Sequence, residues 1–151
     1  PEDLIKAAVT IEQARNLCPN RLIQEVLARA FSNRENLSKI REFYAEGARK
    51  YSKVASMTYQ KIVSTLPEIK ALKPNGGFYV FFNHKSYTED SKHFCKQLLD
   101  QWQVALAPGV DFGMEGWTRL SFAPLVETPE EIDEGLNRIK NFLNSLREGK
   151  S

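Results

Sequence analysis

A helical period runs without interruption from about Leu37 to Leu66. Leu37, Ile40, Tyr44, Gly47, Tyr51, Val54, Thr58, Ile62 and Leu66 recur at three- and four-residue intervals, and Pro67 ends the run. About thirty residues of helix would be roughly 45 Å long. A compact domain made from the whole chain would have a radius of gyration of only roughly 15 Å. A helix of that length is expected to bridge two bodies, with Gly47 as the place where it can bend. The aromatic residues Phe43, Tyr44, Tyr51 and Tyr59 along it read as packing surface.

On the N-terminal side, Pro1-Glu2-Asp3 has the chemistry of a first helical turn, with proline at N1 and acids at the positive end of the dipole. No capping residue precedes it, which suggests a chain cut from something longer. Leu4, Ile5, Ala8, Val9 and Ile11 carry a helical period to about Asn16. Cys18-Pro19-Asn20 breaks it, and a second helix is expected from about Arg21 to Phe31. Ser32-Asn33 is a turn whose asparagine can cap the long helix. Residues 1–31 read as an extension belonging to a neighbouring body, with apolar patches exposed where partners are missing.

Beyond Pro67, Phe78-Tyr79-Val80-Phe81-Phe82 is a strand signal opened by Gly76-Gly77, and its continuous apolar character suggests cover on both faces. The paired glycines serve either turn geometry or close approach of backbone to a ligand. Ser86-Tyr87-Thr88-Glu89 has capping-box spacing, and Phe94, Cys95, Leu98, Leu99 and Trp102 give the next helix its buried side. Gln103-Val104-Ala105-Leu106 reads as a short strand. The Pro108-Gly109 turn then leads through a glycine-rich loop to an alternating run ending at Ala123. Thr128-Pro129-Glu130-Glu131 is the strongest helix start in the chain, and the stripe from Ile132 to Leu146 extends that helix to about Arg147, before Gly149. The order predicts a two-layer α+β body with about three short strands.

Composition excludes several classes of function. The 151 residues have a formal net charge of +2, with 42% hydrophobic and 26% charged residues, so the chain lacks the basic field that nucleic-acid binding needs. No run of apolar residues is long enough for a membrane span. Cys18 and Cys95 are far apart and in no C-x-x-C pair, so they read as free thiols of a reducing compartment, with a disulfide open but unsupported, and a cytoplasmic location is expected. His84 and His93 fall in no ligand spacing with each other or with the cysteines, so no metal site is expected.

One residue inside the alternating run stands out. If the pleat holds, Trp117, Arg119 and Ser121 share one face, and Thr118, Leu120 and Phe122 share the other. The apolar set belongs to a core, which turns Arg119 toward a cleft. A guanidinium is planar, permanently charged and forked, and it matches a carboxylate through two parallel hydrogen bonds. Arg119 is therefore either a reader of a ligand carboxylate or the partner of a structural Asp or Glu.

Four pieces taken together resemble the fold-type I pyridoxal-phosphate-dependent aminotransferases of the class that includes aspartate and aromatic aminotransferases. They are Pro1 to Ala7, Pro74-Asn75-Gly76-Gly77-Phe78-Tyr79-Val80, Val104 to Gly113, and Thr118-Arg119-Leu120-Ser121-Phe122-Ala123. The closing Pro129-Glu130-Glu131-Ile132 helix adds to the match. The resemblance implies that residues 36–151 form the C-terminal small domain of an aminotransferase. Residues 1–35 would then be a helical extension at the edge of a missing N-terminal large, cofactor-binding domain. It implies that Arg119 holds the α-carboxylate of an amino acid or 2-oxo acid substrate, with Gly77 a weaker substrate-binding candidate, and that the complete enzyme is a homodimer using pyridoxal phosphate. The lysine that carries the cofactor and the groups that hold its phosphate have no match here. The chain alone is therefore expected to bind no cofactor and to be inactive. The alternative is a stand-alone, non-catalytic module that binds a carboxylate ligand or a protein.

Overall fold

The computed structural model describes residues 1–148. The chain divides into two compact units, Pro1–Glu46 and Gly47–Ser151. Gly149, expected to follow the last helix, lies outside the described residues.

The first unit holds α1 (Glu2–Asn16), α2 (Arg21–Ser32) and the beginning of α3 (Arg34–Thr65). Pro1 takes the capping position and not N1, so α1 starts one residue later than its sequence chemistry suggests. Asn20 caps α2 by accepting from the Ile23 amide at 3.2 Å, and Asn33 accepts from the Glu35 amide at 2.8 Å. α2 and α3 are thus capped by side chains and α1 is not, and neither α1 nor α2 contains a buried residue. Leu4, Ile5, Leu22, Val26 and Phe31 are all more than half exposed.

The second unit contains the rest of α3, which buries Val54, Ala55, Thr58 and Ile62 at helical spacing. The strands are β1 (Ala71–Leu72), β2 (Tyr79–Asn83), β3 (Ala107–Pro108) and β4 (Trp117–Ser121), and two helices complete the unit, α4 (Ser91–Trp102) and α5 (Glu131–Glu148). The described residues form one antiparallel sheet in the order β1-β2-β4-β3. Four strands thus stand where about three were expected. The extra one is β1, whose two residues pair with Phe82 and Phe81 at the sheet edge and are too few to leave a periodic signal.

Alternation along β2 and β4 separates the two faces of the sheet. Val80 and Phe82 on β2 and Leu120 on β4 are buried and join one hydrophobic cluster with Ile62, Phe94, Leu98, Leu136, Ile139 and Phe142, and Thr118 on the same face of β4 is a buried polar residue. Truncating a fully buried ring such as Phe82 to alanine would cost about 3–5 kcal/mol. The opposite face, with Tyr79, Phe81, Trp117 and Arg119, is only half-buried. The Phe78–Phe82 run is therefore covered on one face within this chain, where Val80 and Phe82 lie, while Tyr79 and Phe81 remain on the other. This is a two-layer α+β arrangement with its helices packed on one side of a small sheet.

Candidate functional site around Arg119

The loop before β4 is held in place by close packing and by the beginning of α4. Gly109 is buried, and a Cβ there would lie 2.2 Å from the Met114 carbonyl oxygen and 2.4 Å from that of Trp117. Only glycine fits so near two backbone carbonyls. The 3₁₀ turn Gly109–Phe112 ends at Gly113, whose φ of 74° is easy for glycine. Two further bonds tie this loop to α4. The Val110 amide donates to Ser91 Oγ at 3.1 Å, and the Ser91 amide donates to the Glu115 carboxylate at 2.5 Å. The Ser91 amide, reinforced by the Ser91 side chain, holds the Glu115 carboxyl below its usual value.

These restraints present Phe112 beside β4. Arg119 sits in the middle of that strand, opposite Phe81 on β2 and Ala107 on β3. Its guanidinium carbon is 4.0 Å from the ring centroid of Tyr79 and 4.0 Å from that of Phe112. The rings continue as a row. Phe112 meets Phe81 edge-on at 6.1 Å, and Phe81 stacks on Trp117 at 5.7 Å with 15° between planes. Among the described residues, no carboxylate lies within ion-pairing distance of Arg119. The guanidinium is thus seated against π faces, with no structural acid satisfying its fork of donors.

Behind the strand, the buried face is pinned from α4. Thr118 Oγ1 donates to the Ala107 carbonyl at 3.0 Å and lies 3.1 Å from Cys95 Sγ. Burial pushes the Cys95 thiol pKa up, while the Thr118 contact partly offsets it, so this cysteine is an inert core group and not a nucleophile. His84, fully buried and stacked on Phe94 at 3.9 Å, donates its backbone amide to the Gly116 carbonyl at 2.8 Å. That bond fixes the residue just before β4.

Gly77 lies apart from this arrangement. It has φ +69° in the turn before β2 and lines a cavity of about 310 Å³ together with Tyr51, Ser52, Ser56 and Asn75. Arg119 does not line that cavity. Sequence reasoning found the face that carries Arg119 but missed the partners Tyr79 and Phe112. Tyr79 joins Arg119 only through the antiparallel register, which pairs Tyr79 with Ser121 and Phe81 with Arg119. Phe112 reaches it from a loop with no period to read. Among the described residues, no group of three or more His, Cys, Asp or Glu is placed to hold a metal ion, and no helix is long and apolar enough to cross a membrane.

Residues 2–139 match the family model for aminotransferase class I and II. The chain belongs to this family. It is 31% identical over 150 residues to a probable N-acetyl-LL-diaminopimelate aminotransferase of Bacillus subtilis, covering 98% of this chain and 35% of that protein. A stretch of 77 residues, 51% of this chain and 19% of the relative, is 43% identical to an aspartate aminotransferase of Thermotoga maritima. The solved structure of an aspartate aminotransferase from Thermotoga maritima superposes with a TM-score of 0.66 at 27% identity, over 95% of this chain and 34% of that one. An aromatic aminotransferase from Pyrococcus horikoshii shares the fold, with a TM-score of 0.73 at 23% identity over 97% and 38% of the two chains. This chain therefore spans about a third of the length of these full-span relatives.

Family membership implies pyridoxal phosphate in the complete enzymes. The groups in contact with Arg119 do not fit that cofactor, because Tyr79 and Phe112 supply rings and no amine.

Proposed function

We propose that this chain is the C-terminal part of a pyridoxal-phosphate-dependent aminotransferase, and that Arg119 holds the α-carboxylate of the amino acid or 2-oxo acid substrate. One observation carries the reading: a half-buried guanidinium packed at 4.0 Å against two rings, with no carboxylate partner among the described residues. A bidentate hydrogen-bonded carboxylate cannot swivel, so its α-carbon is presented in one orientation. Gly77 is a weaker candidate for close backbone approach to the same substrate. The amino-group transfer itself belongs to the complete enzyme, which we take to be a cytoplasmic homodimer whose N-terminal large domain supplies the cofactor site. The isolated 151-residue chain is expected to be inactive.

The test is Arg119→Ala in the complete enzyme. It should raise KM for the amino acid and lower kcat, with a loss in kcat/KM of about tenfold to a hundredfold, the size of a charged hydrogen bond removed. Unchanged steady-state kinetics would remove Arg119 from the site.

A further inference from the structure

We propose that Tyr79 and Phe112 are positioning residues for Arg119, holding its guanidinium by its π faces so that the forked edge is left for the substrate carboxylate. The inference rests on the function proposed above and adds a role for two residues outside the alternating run. An arginine side chain has several rotatable bonds, and a free one would lose that freedom each time a carboxylate bound. Here the guanidinium carbon already sits 4.0 Å from both ring centroids. Ring contacts of this kind attract the cation without occupying its N–H groups. An acidic partner would hold the arginine equally well, but it would take the donors that the substrate needs.

The two rings are themselves fixed. Tyr79 is carried on β2 at the register that pairs it with Ser121, and its ring packs on Phe78 at 4.3 Å. Phe112 closes the 3₁₀ turn, which is tied to α4 by the bond from the Val110 amide to Ser91 Oγ at 3.1 Å. Phe112 also meets Phe81 edge-on, and Phe81 is the residue directly opposite Arg119 in the sheet. Both rings are therefore held by elements other than β4, the strand they steady.

The experiment uses the complete enzyme and two probes of one shape, 3-phenylpropanoate and the uncharged 3-phenylpropanamide, with inhibition constants measured for each. The ratio of the two constants reports on the guanidinium, because loosened packing alone weakens both probes together. Tyr79→Ala and Phe112→Ala should each lower the preference for the carboxylate by about tenfold, the scale of a desolvated cation–ring contact. Tyr79→Phe keeps a ring and should keep the preference. A ratio that stays within twofold of wild type in a folded Tyr79→Ala or Phe112→Ala protein overturns the role of that ring. The Arg119→Ala arm separates this idea from its premise. If Arg119→Ala abolishes the preference and the ring variants do not, the clamp fails and the site stands. If Arg119→Ala itself leaves the preference intact, the proposed function fails first.

Discussion

His84 is a titratable side chain kept out of water. Its Nδ1 lies 2.9 Å from the Thr88 carbonyl oxygen, so Nδ1 carries the proton, and Nε2 makes no hydrogen bond among the described residues. Burial lowers its pKa below 6.5, and the Thr88 carbonyl and the nearby Glu115 charge only partly offset this. The sign of the consequence follows from proton counting. Once the pH falls below 6.5, the unfolded chain takes up a proton that the folded chain resists, so stability drops with falling pH down to the folded pKa. Above 6.5 both forms are neutral and the effect is absent. Urea midpoints should therefore decline between pH 7.5 and 5.5 in the wild-type chain, and His84→Gln should show a flatter decline. Glu115, whose carboxyl is lowered from 4.5, acts in a separate and more acidic window. Equal slopes for the two proteins would show that His84 gains no proton on unfolding in this range.

At the scale of the element, α4 shows where sequence signals lead and where they stop. Its buried stripe of Phe94, Cys95 and Leu98 follows directly from the period, but its cap does not. The capping-box spacing at Ser86–Glu89 is used elsewhere, because the Tyr87 and Thr88 amides donate back to the His84 carbonyl at 2.9 and 3.2 Å. That turn seats His84, and Asp90 caps the helix instead by accepting from the His93 amide at 2.8 Å. Asp90→Ala should cost about 1 kcal/mol in thermal or denaturant unfolding with the fold unchanged, whereas Ser86→Ala should be nearly neutral. The far end of α4 shifts the next strand in the same way. Gln103 adopts a left-handed conformation at φ 56°, and the Gln103 and Val104 amides bond back into the helix, so the strand expected at Gln103–Leu106 is found at Ala107–Pro108. α5 begins at Glu131, two residues after the proline that marks it, because the Glu131 and Ile132 amides first close tighter turns onto Thr128 and Pro129. Helix and strand periods were legible because a buried face repeats along the chain. Caps and short edge strands were not, since a tertiary neighbour decides which of several competent residues is used. The face of Arg119 was legible for the same reason as the strand, and its ring partners were hidden until register and loop were known.

At the scale of the whole molecule, the two units bury their apolar residues to very different degrees. In the second, β2, β4, α4, α5 and the C-terminal half of α3 share one cluster of nearly inaccessible side chains. In the first, α1 and α2 bury nothing, and Leu4 and Leu22 are 69% and 71% exposed. Helices of 15 and 12 residues without a buried face are marginal in water, because nucleation is unfavourable and packing supplies most helical stability. The Asn20 cap of α2 recovers about 1 kcal/mol at most, less than the loss of a core, and α1 has no side-chain cap bond. Local opening should thus be frequent in one unit and rare in the other. Amide hydrogen exchange on the 151-residue chain reads this directly. Amides of α1 and α2 should exchange near the rate of an unstructured peptide, while those around Val80, Leu98, Leu120 and Ile139 should be protected to nearly the global stability. Within α3, protection should rise from the first unit toward Val54, Thr58 and Ile62, where the helix joins the core. Strong protection of α1 and α2 in this chain would mean that these residues find cover without any further partner. In the proposed complete enzyme the same amides should become slow, because the large domain would then cover the apolar faces that α1 and α2 leave in water.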